Sequence, residues 1–245
     1  MHIVLTRAEE DNAGMRARLE ARGIAVSLSP MLTIALGPVD ASAIEAASAL
    51  IVTSRNALKA LSQTQALAAA RSKPIFAVGP ATAAFAKSLG FVTVIEGPGT
   101  AAKLIPVIAG DAISKAGPLL HLSGDVIAYD LRPELAARGL QVERRTVYRT
   151  VAAKTIDSGV RESLSAGGVD AVILMSPATA RAWRNATSEP ELKAQLTKVA
   201  HLCLSDAVAK PFEADTKQKI EIPSAPNAEQ MLALAFRLAA NLEPG

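Results

Sequence analysis

Leu19-Glu-Ala-Arg-Gly-Ile-Ala-Val26 and Leu135-Ala-Ala-Arg-Gly-Leu-Gln-Val142 are near copies of each other, 116 positions apart. Each reads as the close of a helix, an Arg-Gly stop and entry into a strand. Working outward, Ile51-Val-Thr-Ser-Arg-Asn-Ala57 finds a counterpart in Ile173-Leu-Met-Ser-Pro-Ala-Thr179, at an offset of 122. Ala77-Val-Gly-Pro-Ala-Thr-Ala83 finds one in Cys203-Leu-Ser-Asp-Ala-Val-Ala209 at 126, and the stretch 96–104 a weaker one in 223–231 at 127. The matches keep their order while the offset creeps upward, as duplication with small insertions gives. A period this long means two similar α/β halves rather than a solenoid of short repeats. Two such halves are expected to enclose a cleft, and clefts are where ligands bind.

The 245 residues suffice for one large domain or two smaller ones. Half of them are apolar and only 3% aromatic, so Ala, Val, Leu and Ile do the packing, which suits a doubly wound sheet between helices. Apolar runs near 2–6, 24–28, 49–53, 75–78, 92–95, 119–122, 141–148, 170–175, 200–204 and 220–222 predict ten short strands, alternating with helix-like stretches. The expectation is an α/β chain of two similar doubly wound parallel-sheet domains, flavodoxin-like or Rossmann-like. The first helix opens on Glu9, Glu10 and Asp11, where carboxylates meet the positive dipole end, and carries Met15 and Leu19 on one face. Its partner begins near Asp130 with Pro133 in the first turn. Met231, Leu234, Leu238 and Leu242 form an apolar stripe near the end. Residues 35–41 and 148–157 read as linkers.

No apolar run approaches the ~18 residues a membrane helix needs, and Met1-His-Ile-Val-Leu-Thr-Arg7 enters directly as a strand without a signal-peptide pattern. The single cysteine, Cys203, excludes an internal disulfide, suits a reducing cytoplasm and reads as a small buried hydrophobe. The formal charge of +3 is dispersed, with no basic block longer than Arg144-Arg145. A nucleic-acid surface would cluster its cations and interleave aromatics; this pattern suits a small anionic ligand instead.

Open α/β sheets bind ligands at the carboxyl ends of their strands, so the residues leaving strands are the candidates. They are Thr6 and Arg7; Thr53, Ser54, Arg55 and Asn56; Gly79, Pro80 and Thr82; Ser123 and Gly124; Ser176, Pro177 and Ala178; and Ser205 with Asp206. Each turn offers free N–H groups at a helix N-terminus, a ready anion site. Ser, Thr and Asn there also serve as ordinary helix caps. Convergence of six turns favours a ligand with several carboxylates or phosphates. Arg7 and Arg55 suit bidentate pairing with a carboxylate or simple solvation. Tyr148 suits donation to a leaving oxygen or plain packing. His2, His121 and His201 lack metal-ligand spacing. No Walker sequence, dinucleotide fingerprint or nucleophile elbow is present, and Gly97-Pro-Gly99 reads as a loop before a helix.

Thr6-Arg7, Val52-Thr-Ser-Arg-Asn-Ala57, Ala77-Val-Gly-Pro-Ala-Thr-Ala83, Val147-Tyr-Arg149 and Leu174-Met-Ser-Pro177 fall in the order seen in uroporphyrinogen-III synthases. The resemblance spans roughly residues 3–240. It implies two α/β domains joined by a two-stranded linker, one built from about 1–34 with about 150–245, the other from 37–147. It further implies a cytoplasmic monomer that closes linear hydroxymethylbilane into uroporphyrinogen III, losing water from ring A and inverting ring D through a spiro intermediate. The substrate's eight carboxylates match anion-binding turns, and no metal or organic cofactor is implied. By resemblance Tyr148 assists departure of the ring A hydroxyl. Thr53, Ser54, Gly79, Thr82 and Ser176 resemble the family's carboxylate-binding turns. A direct handover of substrate from the preceding pathway enzyme would follow from such a role. The turn at Ser205-Asp206 departs from the family's Gly and Thr pattern, and Asp206 is expected to cap its helix and point away from the ligand.

Three rivals remain at this level. A two-domain module that binds a small polyanion without chemistry shares the fold, and Tyr148 with its flanks is what it has no reason to carry. A dinucleotide oxidoreductase lacks its glycine fingerprint. A phosphoacceptor receiver needs an aspartate where Ser54 follows the third strand.

Overall fold

The computed structural model describes residues 1–214 and 217–242. In chain order these form β1 (His2–Leu5), α1 (Glu9–Glu20), β2 (Ala25–Leu28), β3 (Leu32–Leu36), α2 (Ala41–Ala46), β4 (Ala49–Val52), α3 (Arg55–Ser62), α4 (Ala66–Ala70), β5 (Ile75–Ala77), α5 (Pro80–Ser88), β6 (Val94–Glu96) and α6 (Ala101–Gly110). There follow β7 (Leu119–Gly124), α7 (Arg132–Ala136), β8 (Val142–Ala152), α8 (Ser158–Ser165), β9 (Ala171–Leu174), α9 (Pro177–Ala186), α10 (Pro190–Leu196), β10 (Ala200–Cys203), α11 (Asp206–Ala209), β11 (Lys219–Glu221) and α12 (Ala228–Leu242).

Two compact units result. One comprises Met1–Thr33 and Val151–Gly245, the other Ile34–Thr150. The first holds a five-stranded sheet of order β11-β10-β9-β1-β2; the second a six-stranded sheet of order β3-β8-β7-β4-β5-β6. The strands β4 to β8 and β1, β2, β9, β10 and β11 pair in parallel. The repeat in the sequence maps onto this order strand by strand: β7-α7-β8 answers β1-α1-β2, while β9, β10 and β11 answer β4, β5 and β6. Each sheet is therefore assembled from one early and one late copy of the repeated blocks.

The central strands explain their own position. Ala49 to Val52 and Ala171 to Leu174 are buried throughout, as parallel strands covered on both faces require. Alternate residues feed opposite cores. In the second unit Leu50, Val52, Leu120 and Leu122 pack on one face, while Ala49, Ile51 and Leu119 pack on the other. In the first unit Val4, Val172 and Leu174 join Trp183 and Phe212, and Ile3, Leu5 and Ile173 join Met231 and Leu234. Each such buried aliphatic contributes about 1.5–3 kcal/mol relative to exposure. Met231 and Leu234 of the stripe are buried and Leu238 packs beside them; the side chain of Leu242 lies outside the described residues.

The Arg-Gly stops behave alike in both copies. Gly23 and Gly139 take φ of +72° and +77°, a left-handed turn that only glycine adopts without strain.

Two corrections concern the linkers. The described residues hold eleven strands, not ten, because Leu32–Leu36 is β3. The second linker, expected from Tyr148 onward, is instead strand to Ala152. These two strands run antiparallel: the Gly37 N–H donates to the Val147 carbonyl (2.8 Å) and the Ala153 N–H to the Met31 carbonyl (2.9 Å). The chain passes between its two units within them.

Candidate functional site

In the six-stranded sheet the chain order runs one way from β4 through β5 to β6 and the other way from β7 to β8. The exits of β4 and β7 thus diverge, which leaves a crevice at the carboxyl ends. A cavity of about 530 Å³ lies there. It is lined by the residues that leave each strand in turn: Thr53 and Ser54 after β4, Val78 after β5, Gly99 to Ala102 after β6, and Val126 to Tyr129 after β7. Tyr148, within β8, completes the wall.

Helix starts dominate this lining. The Ser54 hydroxyl accepts the Asn56 N–H (3.2 Å) and caps α3; the Thr100 hydroxyl accepts the Lys103 N–H (3.4 Å) and caps α6. Further first-turn N–H groups of both helices have no intrahelical partner and sit at the edge of the cavity, where they favour an anion. Arg55, exposed at the first position of α3, adds positive charge on that helix. Gly79 caps α5 with an extended backbone, so its need for glycine is spatial: a Cβ there would stand 2.9 Å from Gly99 Cα. The two loops are laced by the Gly97 N–H to the Ala77 carbonyl (2.8 Å) and the Gly99 N–H to the Val78 carbonyl (2.7 Å). Pro80 is exposed at the first position of α5, and Thr82 is buried in its first turn.

Tyr148 owes its position to a bulge. Along β7 and β8, Ser123 pairs with Thr146 but Gly124 pairs with Tyr148, so Val147 is the extra residue. The slip lays the phenol ring on Gly124, where a Cβ would stand 2.6 Å from Cε2 and 2.7 Å from Cζ. Arg144 clamps the same corner. Its Nε donates to Ser123 Oγ (2.7 Å), and its Nη2 donates to the carbonyls of Gly124 (2.5 Å) and Asp125 (3.0 Å). Ser123 is accordingly buried and occupied by the clamp.

Behind Thr53 stands His121, fully buried on β7, whose Nε2 shares a 3.3 Å hydrogen bond with Thr53 Oγ1. Its Nδ1 is buried without a partner. Burial, reinforced by the Arg144 guanidinium, pushes its pKa down to about 4, against a weaker opposing pull from Asp130. The ring is neutral at pH 7. Asp130, chelated by Arg132 (2.7 and 3.0 Å), is held down at about 2 chiefly by that hydrogen bonding.

In the other unit the switch point lies between β1 and β9. Thr6 is buried there and its hydroxyl donates to the Ile173 carbonyl (2.6 Å), a tie between the two strands. Arg7 is exposed and pairs with Asp11 (3.2 Å). Ser176 caps α9 by accepting the Thr179 N–H (3.1 Å), with Pro177 at the first position and Ala178 exposed. Ser205 stands at the cap position of α11 with no side-chain cap bond, and Asp206 is the first helical residue. Asp206 is thus not the cap the sequence led us to expect; an acidic first-turn residue is instead favoured by the helix dipole. Cys203 is buried in β10, which pushes its thiol up to about 12.

The strand-exit rule named Thr53 and Ser54, which line the cavity, and Gly79, which stands beside the lining residue Val78; it missed Gly99 to Ala102 and Val126 to Tyr129. The first set follows β6 directly and falls within the weak repeat match of 96–104 with 223–231, a signal that could have found it had Gly97-Pro-Gly99 not been read only as a loop before a helix. The second follows β7 beyond Gly124, where the reading stopped. Among the described residues no group of His, Cys, Asp and Glu is arranged to hold a metal ion, and no helix is long and apolar enough to cross a membrane.

Residues 13–233 match the profile of the family described as Uroporphyrinogen-III synthase HemD. Solved structures of similar fold include the uroporphyrinogen-III synthetase of Helicobacter pylori, at 17% identity, covering 97% of this chain and 100% of that one, with a TM-score of 0.60. A mutant uroporphyrinogen III synthase of Thermus thermophilus matches at 18% identity, covering 98% and 99%, with a TM-score of 0.51. At these identities the two structures speak for the fold. No curated protein sequence is significantly similar to the chain.

Proposed function

The chain belongs to the uroporphyrinogen-III synthase family, and from that premise we infer how its own residues serve the reaction. It is a cyclising lyase of tetrapyrrole biosynthesis that closes hydroxymethylbilane into uroporphyrinogen III. The observation that carries the assignment of roles is the cavity at the switch point, where the starts of α3 and α6 meet the phenol of Tyr148.

The substrate is a flexible chain of four pyrroles with eight carboxylates. The turns at Thr53 to Asn56, at Gly79 to Thr82 and at Gly99 to Ala102 take carboxylates through backbone N–H groups, with the Thr53 hydroxyl as a further donor. The turn at Ser176 to Ala178 acts in the same way at the start of α9. Thr6, Ser123 and Gly124 serve by shaping strand ends; the Ser205 turn contributes less, since Asp206 opposes an anion. Arg7 is drawn to a carboxylate only by giving up Asp11.

Ring closure begins when the ring A hydroxyl leaves as water. The pyrrole nitrogen supplies the electron pair and Tyr148 gives a proton to the departing oxygen, so charge develops on the substrate beside a positioned donor. Ring D then attacks through its substituted carbon to form the spiro intermediate, which reopens and closes with that ring inverted. Holding the reactive ends in one geometry is the larger task, because such positioning removes much of the entropic barrier. The reaction is placed in the cytoplasm, on a monomer, with substrate handed over from the enzyme that makes the linear tetrapyrrole.

The test is an isomer assay. Purified protein is given fresh hydroxymethylbilane, products are oxidised to porphyrins, and isomers I and III are separated. Predominant isomer III is expected. Tyr148→Phe is expected to lower turnover about 100-fold, within the range for loss of a general acid, with little change in Tm. Undiminished turnover in Tyr148→Phe would remove the phenol from the mechanism.

A further inference from the structure

We propose that Asp125 is a positioning residue that braces the backbone on both sides of Tyr148 and so holds the phenol in the cavity wall. The proposal rests on the role given to Tyr148 above.

The problem Asp125 solves is visible in the sheet. β7 ends at Gly124, whereas β8 runs on to Ala152. Beyond the bulge at Val147 the ladder between the two strands stops. On this edge the bulged strand has no further partner strand to fix its direction, while β3 holds only the opposite edge, through Gly37 and Met31; Tyr148 is the residue at which the β7 side runs out. Asp125 supplies replacements. Its N–H donates to the Tyr148 carbonyl (3.1 Å), and its Oδ1 accepts the Thr150 N–H (3.2 Å). The carboxylate oxygen accepts an N–H of β8 beyond the point where the β7 ladder ends. Residues 148 and 150 are thus pinned from one side chain and its own amide.

The same Oδ1 also accepts the Val126 N–H (2.9 Å). Val126 opens the segment to Tyr129 that lines the cavity with Tyr148. One carboxylate therefore ties the tyrosine strand to a second wall of the pocket. The Thr150 N–H is the largest of the influences that hold this carboxyl below the usual carboxylate range. Arg144 grips the carbonyls of Gly124 and Asp125 independently, so trimming the Asp125 side chain removes the ties to Thr150 and Val126 and leaves the backbone bond to Tyr148 and the corner itself in place.

The experiment compares Asp125→Ala and Asp125→Asn, each alone and in the Tyr148→Phe background. Asp125→Ala is expected to lower kcat about 10- to 100-fold, as misplacement of a reacting group does, with KM within about threefold. Asp125→Asn keeps an acceptor oxygen and is expected to recover most of the loss. In the Tyr148→Phe background Asp125→Ala is expected to cost nothing further. Equal losses for Ala and Asn, or a full loss persisting in that background, would overturn the proposal. A second measurement does not use turnover. The chain has two tyrosines, Tyr129 and Tyr148, so ring-¹³C labelling gives two sets of NMR signals, assigned with Tyr129→Phe. Asp125→Ala is expected to shift or broaden those of Tyr148; unchanged signals would overturn the brace. If Tyr148→Phe keeps full turnover while the signals still respond, the catalytic role of the phenol falls and the brace stands.

Discussion

Gly124→Ala is the smallest change that should separate folding from catalysis. The added Cβ would stand 2.6, 2.7 and 3.0 Å from Cε2, Cζ and Oη of Tyr148. Carbon atoms rest at about 3.5–4.0 Å, so the ring must retreat by about 1 Å. It can do so by turning about its own torsions, because the ring rather than the β7–β8 backbone is what the methyl meets. Overpacking of this kind costs about 1–3 kcal/mol. For a chain of this size that lowers Tm by about 2–12 °C. A displacement of about 1 Å at a reacting group costs on the order of 100-fold in rate. The variant should therefore fold, melt slightly early and form isomer III about 100-fold more slowly, with KM for hydroxymethylbilane nearly unchanged. Steady-state kinetics with isomer separation, beside a melting curve, reads all three. In the Tyr148→Phe background the same methyl should add little. Wild-type kcat in Gly124→Ala, or the same loss in both backgrounds, would refute the link between this glycine and the phenol.

Acid should expose His121. Its folded pKa of about 4 lies below the ordinary 6.5, so the unfolded chain binds the extra proton between these values. The stabilisation is fully present above pH 6.5 and is lost as pH falls through about 4, a span worth about 3 kcal/mol. Urea unfolding from pH 4 to 8 should show a shallower acid limb in His121→Gln, and identical limbs would contradict the assignment. Cys203, buried with its thiol pushed up to about 12, should resist a thiol reagent at pH 8 in the folded protein and react fully in urea. Rapid labelling of the native state would mean that β10 opens.

The core strands were legible because burial writes itself into sequence. Ile51-Val52 and Val172-Ile173-Leu174 are apolar runs because both faces of their sheets are covered. β3 was missed for the converse reason. Its middle residues Thr33, Ile34 and Ala35 are exposed, and its neighbours Pro30 and Pro38 suggest a loop. The far end of β8, Arg149 to Ala152, is exposed too and reads as a linker. The repeat carried more than periodicity did, since the order of its blocks matches the order of strands in both sheets. At the site, a strand-exit hydroxyl signals a ligand contact or a structural tie equally well. Thr6 turned out to bond Ile173, 167 residues away, and no local pattern announces that. Asp125 was equally silent, because its importance comes from where β7 ends relative to β8.

The strand order has a consequence for how the chain is made. β1 pairs with β2 on one side and with β9 on the other, Ile3 with Ala171, so β1 is synthesised long before its second neighbour exists. The unit Ile34–Thr150 is continuous and closes its own sheet in the meantime. Synthesis is thus nested in sequence: the continuous unit can mature first, and the discontinuous one is completed later from two segments whose junctions Thr33 and Val151 meet (3.4 Å). Until then α1 and β2 must keep an apolar face from aggregating without the sheet that will cover it. The interval between residue 33 and residue 174 is the stretch of translation in which this protein is most exposed to misfolding.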